Sequence, residues 1–186
     1  MLGSDNMGLY AIIIAVIIIA LLLMIFIIYY NKYQFAIIRI NEAENKISKG
    51  LKEKISLIER IIPIFKEKFK DDNRLLDSMI KIKDDNLNNF EINKELAHAS
   101  RIINEILDNH TVLYEEENIK NILDELFMNK QDIEAGEKFY NDNVVIYNKL
   151  VHSFPSNIVG AILRMKKKAF YEKETEEIYE ILKEKN

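Results

Sequence analysis

The sequence predicts an all-α protein in which one membrane-crossing helix runs into an antiparallel bundle of about four long helices. Three observations carry that reading. Residues 9–30 form an apolar run without a charge, an Asn or a Pro, and the 72 residues between Pro63 and Gly136 contain neither Gly nor Pro. Apolar residues then recur at alternating steps of three and four through most of the remaining chain. A β-rich chain needs turn residues at much shorter spacing.

The run from Leu9 to Tyr30 has 22 residues. As a helix it extends about 33 Å, enough for a hydrocarbon layer of about 30 Å. Its many Ile residues would favour strands in water, but in lipid the backbone must satisfy its own hydrogen bonds, which leaves a lone segment only the helix. A cleaved signal peptide would carry bases before a shorter apolar core and small residues after it, and the stretch has none of these. No Cys is present to take a lipid. Tyr10 at one end and Tyr29, Tyr30 and Tyr33 at the other suit the two membrane interfaces. Lys32, Arg39, Lys46 and Lys49 follow the run and no base precedes it, so the positive-inside bias puts the N-terminus outside a cell membrane and the remainder in the cytoplasm. The chain thus divides into a short segment 1–8, a transmembrane helix 9–30, a helical bundle 31–171 and a charged helix or tail 172–186, where acids and bases alternate around Ile178, Tyr179, Ile181 and Leu182.

Composition narrows the chemistry. With no Cys among 186 residues, disulfides, thiolate metal sites and cysteine nucleophiles are excluded. Thirty acids against 26 bases give a net charge of -4, without the basic excess that nucleic acid attracts, so no nucleic-acid partner is expected. Residues 1–30 hold no Lys or Arg and one acid, Asp5, which leaves a charged, near-neutral polypeptide attached to an apolar rod.

The first helical series, Tyr33, Ile37, Ile40, Ile47, Leu51, Ile58, Ile62, Phe65 and Phe69, continues from the membrane run and skips Glu44 and position 54 or 55. A second runs through Ile92, Leu96, Ala99, Ile103, Ile106 and Leu113, with His110 in the skipped place. The third, Ile119, Leu123, Leu126, Ile133, Tyr140, Val144, Tyr147, Val151 and Phe154, keeps the same beat if positions 130 and 137 are polar. These are seams of the coiled-coil type. Asp71-Asp72-Asn73, Asp84-Asp85-Asn86 with Asn88-Asn89, and Asp108-Asn109-His110-Thr111 offer caps or turns. Pro63 should kink or restart a helix, and Phe154-Pro155 should end one, with Ser156 or Asn157 capping the next.

Glu44, Lys130 and Glu137 stand where these seams should be apolar. A buried charge must be paired. Lys130 and Glu137 are two turns apart, bridgeable through Glu134 or by Glu44 from a facing helix, which would make a polar layer that fixes register. The alternative is a helix rotation that turns them outward into water.

Catalytic patterns are incomplete. Glu95-x-x-His98 is one half of a di-iron bundle motif, but His110 and His152 have no acid three residues before them. Gly3, Gly8, Gly50, Gly136 and Gly160 are all isolated, so no phosphate loop is present, and no Ser lies in a nucleophile elbow. No catalytic residue, cofactor or metal is expected, and the chain reads as a non-enzyme. Ile158 to Tyr171 sets apolar residues beside Arg164, Lys166, Lys167 and Lys168. It reads either as a helix lying on an anionic membrane surface or as a short bundle helix with a solvated basic end.

From Tyr140 the chain runs Tyr140-Asn141, Val144, Tyr147-Asn148 and then Phe154-Pro155-Ser156-Asn157. This resembles the LemA family of bacterial membrane proteins, whose signature is YN-x-x-V-x-x-YN followed by an FPSN-like turn. Upstream, Tyr30-Asn31, Ala43, Ile47, Leu51-Lys52, Lys54 and Leu57-Ile58 are similar to the family's first helices. The family's Trp position is Glu44 here, its Leu-Ile-Pro is displaced to Pro63, and its Glu and Arg seven apart are replaced by Lys130 and Glu137 with the signs exchanged. The resemblance implies an N-terminally anchored helical bundle with a non-enzymatic role in membrane organisation. Read physically, the repeat puts Tyr140 and Tyr147 on the seam as core, and Asn141 and Asn148 beside it as partners for neighbouring backbone. The resulting expectation is a homo-oligomer that organises or shapes the bilayer, with an anchored module that recruits an unidentified protein as the alternative.

Overall fold

The computed structural model describes residues 2–68, 74–82 and 87–171. Phe69, Asp71-Asp72-Asn73, Asp84-Asp85-Asn86 and the 172–186 tail lie outside these. The described residues form α1 (Leu2–Lys68), α2 (Arg74–Ile82), α3 (Asn89–Asn109), a 3-10 turn (Thr111–Glu115), α4 (Glu117–His152) and α5 (Ser156–Ile162), with no strand among them. The chain is all-α as expected, but α2 has only nine residues, so the long helices are α1, α3 and α4. The contacts divide the chain into a first unit, residues 1–40 with 142–169, and a second unit, residues 41–141 with 170–186.

Helix α1 carries the apolar run, and among the described residues it is the one helix long and apolar enough to cross a membrane. Residues 7–25 are exposed along its whole circumference. That distribution differs from an amphipathic helix, which hides one stripe against a core. Beyond it burial becomes periodic: Tyr33, Ala36 and Ile40 in the first unit, then Ala43, Ile47, Gly50, Lys54, Leu57, Ile61 and Phe65 in the second. Helix α1 runs through Pro63 to Lys68 without restarting there.

In the second unit α4 runs antiparallel to α1. Lys46 lies over the Phe139 ring, Gly50 meets Ile133, Arg60 pairs with Glu125 and Lys68 with Glu116, so numbers rise on one helix as they fall on the other. Where the helices approach, each presents a glycine to the other's isoleucine: Ile133 stands against Gly50, and Ile47 against Gly136. An added Cβ would lie 2.7 Å from Ile133 Cγ1 at Gly50 and 3.0 Å from Ile47 Cγ1 at Gly136. The missing side chains set how close the backbones come. Asn129 uses that proximity, its Nδ2 donating to the Gly50 carbonyl at 3.0 Å.

Helix α3 begins at a reciprocal cap. Asn88 Oδ1 accepts from the amides of Phe90 (2.9 Å) and Glu91 (3.1 Å), while Glu91 Oε2 accepts from the Asn88 amide (2.9 Å). Its buried Leu96, Ala99, Ile103 and Ile106 are the seam read from sequence, widened by Ile102 and Leu107. Arg74 to Glu105 at 2.8 Å links α2 to α3, and Asn93 Nδ2 to Glu137 Oε1 at 2.9 Å links α3 to α4. The exposed ion pairs are screened by water and contribute little, so the apolar seams hold the unit.

Of the two readings of the polar seam residues, the structure takes the outward one for Lys130. The seam of α4 passes through Asn129 and Gly136, one residue before Lys130 and Glu137. Lys130 is 52% exposed, with its ammonium 3.9 Å from Glu134. Glu137 is half-buried beside Asn93. On α1 the seam place belongs to Ala43, and Glu44 stands beside it, half-buried.

Candidate functional site

The two Tyr-Asn steps do the same pair of jobs, one in each unit. In the first unit the Tyr147 ring meets Tyr33 edge-on, with centroids 5.9 Å apart at 78°. The neighbouring Asn148 turns its amide to a passing stretch of backbone: Nδ2 donates to the Lys168 carbonyl and Oδ1 accepts from the Lys168 amide, both at 2.9 Å. In the second unit Tyr140 meets Tyr171 edge-on at 5.0 Å and 85°. Asn141 Nδ2 donates to the Tyr171 carbonyl at 2.9 Å, and its Oδ1 accepts from the Tyr171 amide at 2.8 Å.

Each asparagine therefore supplies one donor and one acceptor to a single residue, as a strand neighbour would. Spacing explains the repeat. Seven residues of α-helix and three of extended chain both cover about 10 Å, so a seven-residue repeat on a helix suits partners three apart on extended chain. The half-buried Met165 and Tyr171 supply further burial.

Tyrosine ionisation is suppressed throughout this system. Burial pushes Tyr147 above its ordinary value, and burial followed by the neighbouring Tyr147 does so for Tyr33. Tyr140 is raised by burial and then by the Glu44 carboxylate. Tyr171 is raised chiefly by burial, then by Glu44, Glu137 and Tyr140, against a lowering hydrogen bond with Asn89. Glu44 and Glu137, read from sequence as members of a buried layer, thus act on the Tyr140–Tyr171 pair.

The Phe154-Pro155-Ser156-Asn157 motif turns α4 into α5. Ser156 is buried, and its hydroxyl lies 2.7 Å from the carbonyls of both Leu150 and Ser153, closing the end of α4. The Asn157 amide donates to the Ser153 carbonyl at 2.8 Å. Neither side chain caps α5 as expected, because Pro155 occupies the cap position and makes no side-chain hydrogen bond. The Tyr33 hydroxyl donates to the Ser156 carbonyl at 3.2 Å and stands against Gly160, where an added Cβ would collide with it. Phe154, the last member of the third series, leaves the seam and is 80% exposed.

The basic stretch is also corrected. The helix ends at Ile162, where the Arg164 amide donates to Ala161 (3.1 Å) and the Met165 amide to Gly160 (2.8 Å), a Schellman turn with Arg164 at φ 55°. Lys166, Lys167 and Lys168 lie in the extended segment beyond it. Arg164, Lys166 and Lys167 are exposed. Glu95 is half-buried and His98 exposed, and no group of three or more His, Asp or Glu side chains assembles a metal site among the described residues.

No curated protein matches the chain. A family model described as the LemA family matches residues 43–182, which takes in α2 to α5, most of the second-unit part of α1 and both Tyr-Asn clasps. An apolar helix able to cross a membrane, the Tyr-Asn repeat and a match over more than half the chain agree: this protein belongs to the LemA family.

Proposed function

We propose that the protein is a non-enzymatic, single-pass scaffold of the cell membrane that self-assembles through its helices and organises or shapes the bilayer around it. Residues 9–30 anchor it, with the N-terminus outside and the remainder in the cytoplasm. The observation that carries self-assembly is the uncovered apolar surface of the first unit. Phe35 and Ile38 on α1 and Val145 and Ile146 on α4 are all exposed, although this part of the chain supplies only two long helices and α5. An anchor confines such surfaces to two dimensions, where high effective concentration favours weak lateral contacts. Electron microscopy of the purified full-length protein in detergent and in liposomes tests this. Rings, filaments or clusters in both are expected, and a monomer in both rules the scaffold out.

A recruiting role draws on a different observation. Phe127 and Met128, adjacent on α4 in the second unit, are both exposed. Capture of a stoichiometric cytoplasmic partner by the full-length protein, lost in Phe127→Ser, would favour recruitment over self-assembly.

A further inference from the structure

We infer that the α4–α5 corner and α5 are a second membrane-contacting element, which inserts into the headgroup boundary beside the α1 span and prefers anionic lipid. The inference rests on α1 crossing the bilayer. All the residues involved belong to the first unit.

Tyr33 is three residues past the apolar run, about 4.5 Å of helical rise. It is held against Tyr147, Ser156 and Gly160, so the end of α4 and the middle of α5 stand at that level. Helix α4 continues from Tyr147 to His152 in the direction antiparallel to α1, about 7.5 Å further toward the apolar run. The Phe154-Pro155 turn therefore arrives beside the run's last turns. Phe26 and Tyr29 are half-buried, Phe26 stacked on Tyr30 and Tyr29 beneath Lys32, whereas residues 7–25 are uncovered.

Phe154, Ile158 and Ile162 recur every four residues and are 80%, 53% and 64% exposed. Arg164, Lys166 and Lys167 follow, all exposed, and residues 150–169 contain no acid. An apolar face with adjoining bases at the level of a membrane interface suits acyl chains below and anionic phosphates above. Length settles the geometry: seven residues of α5 cover about 10 Å and cannot span a bilayer, only lie in its surface.

The chain contains no Trp, so one introduced indole reports without background. Full-length Phe154→Trp and, separately, Ile158→Trp are reconstituted into phosphatidylcholine vesicles with and without phosphatidylglycerol, using lipids brominated near the headgroup end of the acyl chain. Ala20→Trp, near the middle of the run, serves as the reference for the span and is read with lipids brominated near the methyl end of the acyl chain. The expected result is blue-shifted emission and bromine quenching for both corner positions, stronger with phosphatidylglycerol. Arg164→Gln, Lys166→Gln and Lys167→Gln together should abolish that lipid preference. Water-like emission at Phe154 and Ile158 with Ala20 quenched overturns the inference and leaves the span intact. Blue-shifted but unquenched emission also overturns it, since protein then covers the corner. No quenching at Ala20 means that the span itself has failed, and the inference falls with it. Equal quenching with and without phosphatidylglycerol overturns the anionic preference.

Discussion

Gly50 on α1 and Ile133 on α4 meet so closely that a methyl group on the glycine would stand 2.7 Å from Ile133 Cγ1. The same contact is made in reverse three residues along, where Ile47 meets Gly136. An exchange of glycine for isoleucine on antiparallel helices sets both their separation and their register.

Gly50→Ala should lower the melting temperature despite a gain of about 1 kcal/mol in helix propensity, because overpacking costs about 1–3 kcal/mol. Ile133→Ala removes the clashing Cγ1. The double variant should lose less stability than the two single losses added together, and a strictly additive cycle would remove the contact from the account.

Asn148→Asp keeps the shape of the clasp but replaces the donor to the Lys168 carbonyl with an acceptor. A loss of about 1 kcal/mol is expected, as for a part-buried hydrogen bond. Hydrogen exchange locates the effect: the Lys168 amide should exchange faster in Asn148→Asp, and the Tyr171 amide in Asn141→Asp. Unchanged protection at both amides would show that the clasps do not hold the segment.

Lys130→Met should change stability by no more than about 0.5 kcal/mol, as usual for a surface position. Asn129→Ala should cost more, because it removes a buried hydrogen bond to the Gly50 carbonyl. Thermal denaturation of the two variants would reverse this order if Lys130 belonged to a buried ionic layer.

Stability should fall in alkali. Tyr33, Tyr140, Tyr147 and Tyr171 are all raised in the folded protein, whereas unfolded tyrosines lose their protons near about 10. Below that pH both states stay protonated and stability is constant. As pH rises through the unfolded value toward the folded ones, only the unfolded chain releases protons, and unfolding is favoured. Melting temperature against pH should be flat from neutrality to about 9 and then decline, less steeply in Tyr147→Phe. An equal slope in that variant would exclude Tyr147 as a contributor.

The long helices were legible because heptad spacing and the absence of breakers are properties of sequence alone. Tyr33, Ile40, Ile47, Leu51 and Ile58 were read as one seam, and all are buried. Register slipped by one residue where small or amide side chains hold seam positions. Asn129 and Gly136 look like surface or breaker residues, so the sequence leaves open whether their neighbours Lys130 and Glu137 form a buried layer or face water. Glycine carries no hydrophobic signal even where closeness of approach is its whole contribution. The asparagine roles were half visible: the repeat pointed to backbone bonds, but the partners lie 20 and 30 residues away on a segment whose extended form is fixed by Arg164 ending α5. A non-glycine residue at positive φ leaves no mark in composition, and the basic run after it was read as helix.

The central claim is that residues 9–30 of α1 lie in lipid while the same helix continues into water. Because the chain has no cysteine, single spin labels can be placed at Ala20→Cys and Lys52→Cys in the full-length protein reconstituted in liposomes. Electron paramagnetic resonance power saturation should show collisions with oxygen dominating at position 20 and collisions with a water-soluble nickel complex dominating at position 52. Access of the nickel complex to position 20 equal to that at position 52 would contradict the account.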